Sequence, residues 1–203
     1  MGIRSFLAFE LPPEIREKIG AVSRELQKTR MPVRWVKVEN IHLTMIFFGS
    51  VDEDAIDEIK EKVYLVVNRF STIRTRLNGV GVFPHWRKPR VIWVGLNGEI
   101  ETLSNLRDQL QSELKALGLR EEKRPFRPHL TIGRFKGRVD RDEELKSILD
   151  RHHDITSNLH HLNELILFKS DLKPDGPVYT KMAAWPLRME NGLGKSKNRK
   201  NML

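Results

Sequence analysis

Two short stretches of the chain pair a histidine with a threonine at the same spacing, His42-Leu43-Thr44 and His129-Leu130-Thr131. In a strand, residues two apart project to one face. Each histidine therefore stands beside its threonine, while Ile41, Leu43 and Met45, or Leu130 and Ile132, point the other way. Neutral imidazole takes a proton and imidazolium gives one, and an ordinary pKa of about 6.5 lets both forms exist near neutrality. A phosphodiester between two such pairs meets a proton acceptor on one side and a proton donor on the other. In-line displacement at phosphorus needs that arrangement. Two threonine hydroxyls can donate to the non-bridging oxygens. The scheme needs no metal and no cofactor. One His-x-Thr on a strand is ordinarily a packed or half-exposed pair. A second copy at an equivalent position brings no packing benefit to strands that are otherwise apolar, so it points to a site.

The elements that must position these pairs also repeat. Phe48-Gly49 and Val51-Asp52 follow the first motif, and Phe135, Gly137 and Val139-Asp140 follow the second. Strands are expected over 2–9, 33–36, 41–48 (ended by Gly49) and 72–82, with helices opened by Pro12-Pro13 and spanning 52–70. The order recurs as a strand over 91–96, an amphipathic helix carrying Leu103, Leu106, Leu110 and Leu114 up to Gly118, and a strand over 129–135. A shorter helix over 140–149 and closing strands over 162–168 and 178–187 complete it. The expected fold class is α+β: a duplicated two-lobe unit with pseudo-twofold symmetry, antiparallel-rich sheets facing a central cleft, and helices outside. One domain spans residues 1–189, the first repeat covering about 1–82 and the second about 90–189. Residues 190–203 are basic and almost free of apolar side chains, which predicts disorder. Gly194-Lys195-Ser196 imitates the end of a phosphate-binding loop, but Met189 occupies the first glycine position and no helix follows.

A formal net charge of +9 favours a polyanionic partner. Arg87, Lys88, Arg90, Lys123, Arg124, Arg127, Arg134, Lys136 and Arg138 crowd around the central loop and the second motif, where they can form a basic rim for a polyanion. Cysteine is absent, excluding thiol nucleophiles, iron–sulfur clusters and Cys-ligated zinc. No stretch approaches the roughly twenty apolar residues of a membrane span, so a cytoplasmic protein is expected, with no required protein partner evident. His152-His153 and His160-His161 lack a metal-binding helical spacing and read as solvated loop histidines. His85 beside Trp86 reads as a turn residue or a base-stacking rim residue, and Phe83 and Trp93 as hydrophobic structure.

With Gly81-Val82-Phe83-Pro84 and Pro89-Arg90-Val91-Ile92-Trp93-Val94-Gly95 between the two motifs, the chain resembles the two-histidine (2H) phosphoesterases. It is most similar to the RNA 2′,3′-cyclic phosphodiesterases first known as 2′-5′ RNA ligases, over roughly residues 3 to 188. The resemblance implies hydrolysis of an RNA-terminal 2′,3′-cyclic phosphate, tRNA fragments included, to a 2′-phosphate. His42 would be acid to the leaving 3′ oxygen, His129 base to water, and Thr44 and Thr131 phosphate ligands. Relatives use a basic residue shortly after the second motif, which is Arg134 here. Strict alternation puts Arg134 on the face opposite His129, so that role requires a bulge or strand end. The same site would serve 2′-5′ ligation, or hydrolysis of small cyclic nucleotides or 2′-5′ oligonucleotides. A non-catalytic module binding RNA ends would need neither acid nor base.

Overall fold

The computed structural model describes residues 2–119, 121–122, 124–137 and 142–189. The basic tail lies outside these residues, as do Lys123 and Arg138 of the basic rim. The chain runs β1 (Gly2–Phe9), α1 (Pro13–Gln27), β2 (Val33–Trp35), β3 (Leu43–Asp52), α2 (Ala55–Val67), β4 (Ile73–Phe83), β5 (Val91–Gly98), α3 (Ile100–Lys115), β6 (His129–Phe135), α4 (Asp142–Arg151), β7 (His160–Leu162), β8 (Glu164–Lys173) and β9 (Gly176–Pro186). A 3-10 turn at Val38–Asn40 precedes β3.

These strands form one sheet, ordered β7-β4-β5-β6-β3-β1-β8-β9 with β2 added on β6, and the pairings between them are antiparallel. The halves meet at the pairing of Leu43 with Leu130, the middle residues of the two motifs. Outward from that seam, β3 answers β6, β1 answers β5, and β8 answers β4. The sheet does not split where the sequence repeat does. β4, the last strand of the first repeat, pairs with β5 and β7, whereas β8 of the second repeat pairs with β1. Each repeat thus lends a strand to the other half, locking the motifs across the seam.

The helices form where apolar residues recur at helical spacing. Ile15, Ile19, Val22 and Leu26 of α1, Ile56, Ile59, Val63 and Val66 of α2, and Leu103, Leu106, Leu110 and Leu114 of α3 are buried on one side of each. They share a core with Leu7, Phe9, Leu43, Ile92, Leu130 and Leu165 from one face of the sheet. The opposite face of β1 and β8 carries a separate cluster of Phe6, Ala8, Ile166 and Phe168 against Tyr179. β1 is therefore apolar on both faces, and its second face belongs to the site.

Two departures from the sequence expectation bear on the sheet. Gly49 does not end the third strand; β3 continues to Asp52, with Gly49 at φ 76° absorbing an irregularity in the pairing with β1. The closing strand expected over 162–168 is two strands, since β7 pairs with β4 on one edge and β8 with β1 on the far side of the sheet.

Candidate active site

At the seam, antiparallel pairing of Leu43 with Leu130 fixes the motif geometry. Continued by one residue either way, the register sets His42 across from Thr131 and Thr44 across from His129, with all four on one face. Leu43 and Leu130, fully buried on the other face, anchor the seam in the core. Each half-buried pair thus opens onto the face from which its leucine is excluded.

Both histidines are oriented by the same device. His42 Nδ1 donates to the Asn40 carbonyl at 2.8 Å and His129 Nδ1 donates to the Arg127 carbonyl at 2.7 Å. A carbonyl oxygen only accepts, so Nδ1 carries the proton and Nε2 is left for chemistry, as acceptor when neutral and donor when charged. Asn40 is held in turn, its side-chain amide donating to the Pro177 carbonyl at 3.0 Å. That bond ties the turn before β3 to β9.

The ring environments differ. Phe6 stacks on His42 at 4.7 Å and 23°, and Tyr179 meets it edge-on at 5.3 Å. His129 takes only the edge of Phe83, at 4.9 Å and 88°. Burial lowers the pKa of both rings, and both carbonyl bonds oppose that shift. Charge then separates them: the Glu10 carboxylate raises the pKa of His42, while the Arg134 guanidinium lowers that of His129. Glu10 is itself paired with Lys181 at 2.7 Å. Burial also raises the pKa of Tyr179, against the opposing charges of Arg134 and Arg4.

Arg134 reaches this face through a bulge. The pairing of β5 with β6 shifts between Ile92–Gly133 and Trp93–Thr131, leaving Ile132 unmatched and reversing the alternation beyond it. Gly133 then faces the core, where a Cβ would meet Val33 and Ile92, and exposed Arg134 returns to the side of His129. β3 has the matching irregularity at Met45, between Ile46–Leu7 and Thr44–Ala8, which brings Phe47 back to the side of Thr44. Met45 and Ile132 are equivalent in the repeat, so the position filled by Arg134 in one half holds Phe47 in the other. Arg34 of β2 lies directly opposite Arg134. Two like charges side by side disfavour the pairing and suit an anion in front of them.

Several residues named from the sequence sit elsewhere. His152 and His160 are not solvated. His152 is buried at the end of α4, 3.5 Å from Glu25, and His160 is buried in β7 with Nε2 3.0 Å from the Thr75 hydroxyl. Their neighbours His153 and His161 are exposed. His85 is exposed in the turn after β4, beside Trp86, whose ring lies 5.0 Å below the Arg87 guanidinium. Trp93 fills space that only a glycine at position 81 leaves free and, paired across from Thr131, lies on the site face, where Phe83 forms a wall beside His129. Phe6, Phe168, Tyr179 and Glu10 escape the sequence reading. Phe6 and Phe168 do leave a signal, the unbroken apolar runs Phe6–Phe9 and Leu165–Phe168, too continuous for strands with one wet face.

Comparison with known proteins agrees with this geometry. The model of the 2′-5′ RNA ligase superfamily matches residues 11–171. A Methanothermobacter thermautotrophicus protein named RNA 2′,3′-cyclic phosphodiesterase is 34% identical over 92% of this chain and 100% of its own length. A Thermotoga maritima protein of the same name is 31% identical over 94% of this chain and 98% of its own. Among solved structures, a Thermus thermophilus protein superposes with a TM-score of 0.78 at 26% identity, covering 93% of this chain and 100% of its own. Escherichia coli LigT, at 24% identity and a TM-score of 0.72, shares the fold over 93% of this chain and 99% of its own. By its two motifs, its sheet seam and these matches, the chain belongs to the 2′-5′ RNA ligase superfamily, the two-histidine phosphoesterases.

Proposed function

We propose that the protein is an RNA 2′,3′-cyclic phosphodiesterase that opens the cyclic phosphate at an RNA 3′ end to a 2′-phosphate. The observation that carries this reading is the pair of imidazoles at one seam, each with Nδ1 donating to a carbonyl and Nε2 left for the substrate. His129 Nε2 takes a proton from water as its oxygen attacks phosphorus. The P–O3′ bond breaks on the opposite side, and His42 Nε2 delivers a proton to the departing 3′ oxygen. The 2′-phosphate leaves with a free 3′ hydroxyl, and solvent resets the two protons. Thr44 and Thr131 donate to the non-bridging oxygens, and Arg134 stabilises the charge that builds there.

Local charge, acting against a background of burial that lowers both rings, supports the order of roles that the resemblance implies. A base must be neutral, which the Arg134 cation favours at His129, and an acid must be protonated, which the Glu10 carboxylate favours at His42. The reading makes residues 1–189 the working unit, with the basic tail as an accessory to RNA binding. It also puts the enzyme in the cytoplasm, where RNA cleavage, that of tRNA included, leaves such ends. Among the described residues no helix is long and apolar enough to cross a membrane.

The test is a short RNA carrying a terminal 2′,3′-cyclic phosphate, incubated with and without EDTA, with the product end identified by its phosphate position. A 2′-phosphate formed equally in both reactions is expected. A 3′-phosphate product would reverse the assigned leaving group, and no turnover would refute the reading.

A further inference from the structure

We propose that Arg34 is the ligand of a second phosphate, the phosphodiester that joins the terminal nucleotide to the rest of the RNA strand. The inference deepens the function proposed above and rests on it. Arg34 pairs directly with Arg134 across β2 and β6. Its neighbours Val33 and Trp35 turn into the core, where a Cβ on Gly133 would press on both. Arg34 therefore projects from the opposite face, the one that Arg134 shares with the motif side chains. Both arginines are exposed, and neither has an ion-pair partner among the described residues. A strand pair that sets two unpaired cations side by side is weakened by their repulsion. Two bound anions relieve it.

The charges available on the substrate separate the partners of the two arginines. A cyclic phosphodiester carries one negative charge and two non-bridging oxygens, which Thr44, Thr131 and Arg134 already serve. No acceptor remains there for Arg34, and the next anion on an RNA strand is the phosphate one nucleotide upstream. In-line displacement fixes its direction: the ribose that owns the leaving 3′ oxygen lies on the side of His42, and water on the side of His129. The strand continues from that ribose through its 5′ oxygen, so the upstream phosphate is also on the His42 side. β5 occupies one edge of β6, and both β2 and β3 pair along the other. Arg34 thus stands on the same side of β6 as His42. From Thr131, across from His42, to Arg134, across from Arg34, is about 7–10 Å at ~3.3 Å per residue, the bulge at Ile132 shortening the path. A long side chain spans what separates that point from a phosphate one nucleotide from the seam. Arg34 therefore distinguishes an RNA end from a free nucleoside cyclic phosphate, which has no upstream phosphate.

The experiment compares wild type with Arg34→Met and Arg34→Lys on two adenosine–cytidine dinucleotides ending in a 2′,3′-cyclic phosphate. One has an ordinary phosphodiester between the nucleosides and the other an uncharged methylphosphonate, with the upstream ribose 2′-O-methylated in both. Circular dichroism verifies folding. Calorimetric binding of the two ring-opened 2′-phosphate products gives a readout independent of turnover. Wild type is expected to favour the charged linkage by roughly 10-fold in kcat/KM and in affinity at low salt. Arg34→Met should bring that ratio to within about twofold of unity, and Arg34→Lys, which keeps the charge, should retain most of it. On the charged dinucleotide, the slope of log kcat/KM against log salt should become shallower by about 0.7 in Arg34→Met, the value of one phosphate contact on a single strand. Equal losses on both dinucleotides, or no preference for the charged linkage in wild type, would overturn the subsite while leaving the cyclic phosphodiesterase reading standing. Absence of turnover on both, with binding of the products still dependent on Arg34 and on linkage charge, would refute the function and keep the subsite.

Discussion

The two halves of the cleft share a backbone and differ in a handful of side chains. Each presents a histidine bonded to the carbonyl two residues before it, a threonine two residues after it, and a bulge three residues after it. Around that common frame, His42 is flanked by two aromatic rings and faces a carboxylate, whereas His129 has one aromatic edge and faces a guanidinium. Duplication therefore supplies the opposed geometry that in-line chemistry needs, and divergence at a few positions supplies its direction. A perfectly symmetric cleft would hold two imidazoles of equal pKa, and the arrangement of one neutral and one charged would have no preferred sense.

Removing either ring should do the most damage, since it leaves one half of the cleft without its partner. His42→Ala and His129→Ala should each lower turnover by roughly 10²–10⁴-fold with the fold intact, because each abolishes one proton transfer. Near-normal activity in either variant would remove that residue from the scheme. Thr44→Val and Thr131→Val each delete one donor to the phosphate and should cost less, up to roughly 10²-fold in kcat. A loss larger than that of the histidine variants would reverse the ranking.

Changing the charges should shift the asymmetry between the halves, and Arg134→Met should also lower the rate because it removes a cation that stabilises the transition state. Arg134→Met raises the pKa of His129, so the base protonates sooner as pH falls and the acid limb of the rate profile moves to higher pH. Glu10→Gln lowers the pKa of His42, so the acid is lost sooner as pH rises and the alkaline limb moves to lower pH. Each shift should be within about one pH unit, since Glu10 and Arg134 are exposed. Lys181→Met frees the Glu10 charge and should move the alkaline limb the opposite way from Glu10→Gln. Shifts of the wrong sign would show that these charges do not set the two pKa values. The smallest effect belongs to residues 190–203. Their deletion should leave hydrolysis of a small cyclic nucleotide within about twofold and weaken binding of longer RNA.

Much of this is legible in the sequence because its signals are local. Strand periodicity identifies the face shared by His42 and Thr44, and helical spacing locates α1, α2 and α3 with the buried residues they show. Less local features are not legible. That β4 and β8 cross to the opposite halves depends on pairing between distant segments, which no window of sequence reveals. Arg134 shows the limit most clearly: alternation puts it on the wrong face, and one unmatched residue at Ile132 returns it. Burial of His152 and His160 depends on partners far along the chain, Glu25 and Thr75. Tyr179 is overlooked because it stands in an expected strand far along the chain from either motif, whereas its neighbours in space are Phe6 and His42.

If the two equivalent histidines hold opposite charges in turnover, kcat/KM against pH on a cyclic-phosphate substrate will show it. The profile should be measured for wild type, His42→Ala and His129→Ala. Wild type is expected to give a bell, falling in acid as His129 protonates and in alkali as His42 loses its proton. Burial lowers both pKa values in the free enzyme, which places the bell on the acid side of an ordinary imidazole titration. The profile of kcat should lie to its alkaline side, because bound phosphate favours imidazolium, with the apparent values belonging to the coupled pair. The residual activity of His129→Ala should lose the acid limb, and that of His42→Ala the alkaline limb. A wild-type rate that climbs steadily to high pH without falling would contradict the account, because His42 would then not be the acid.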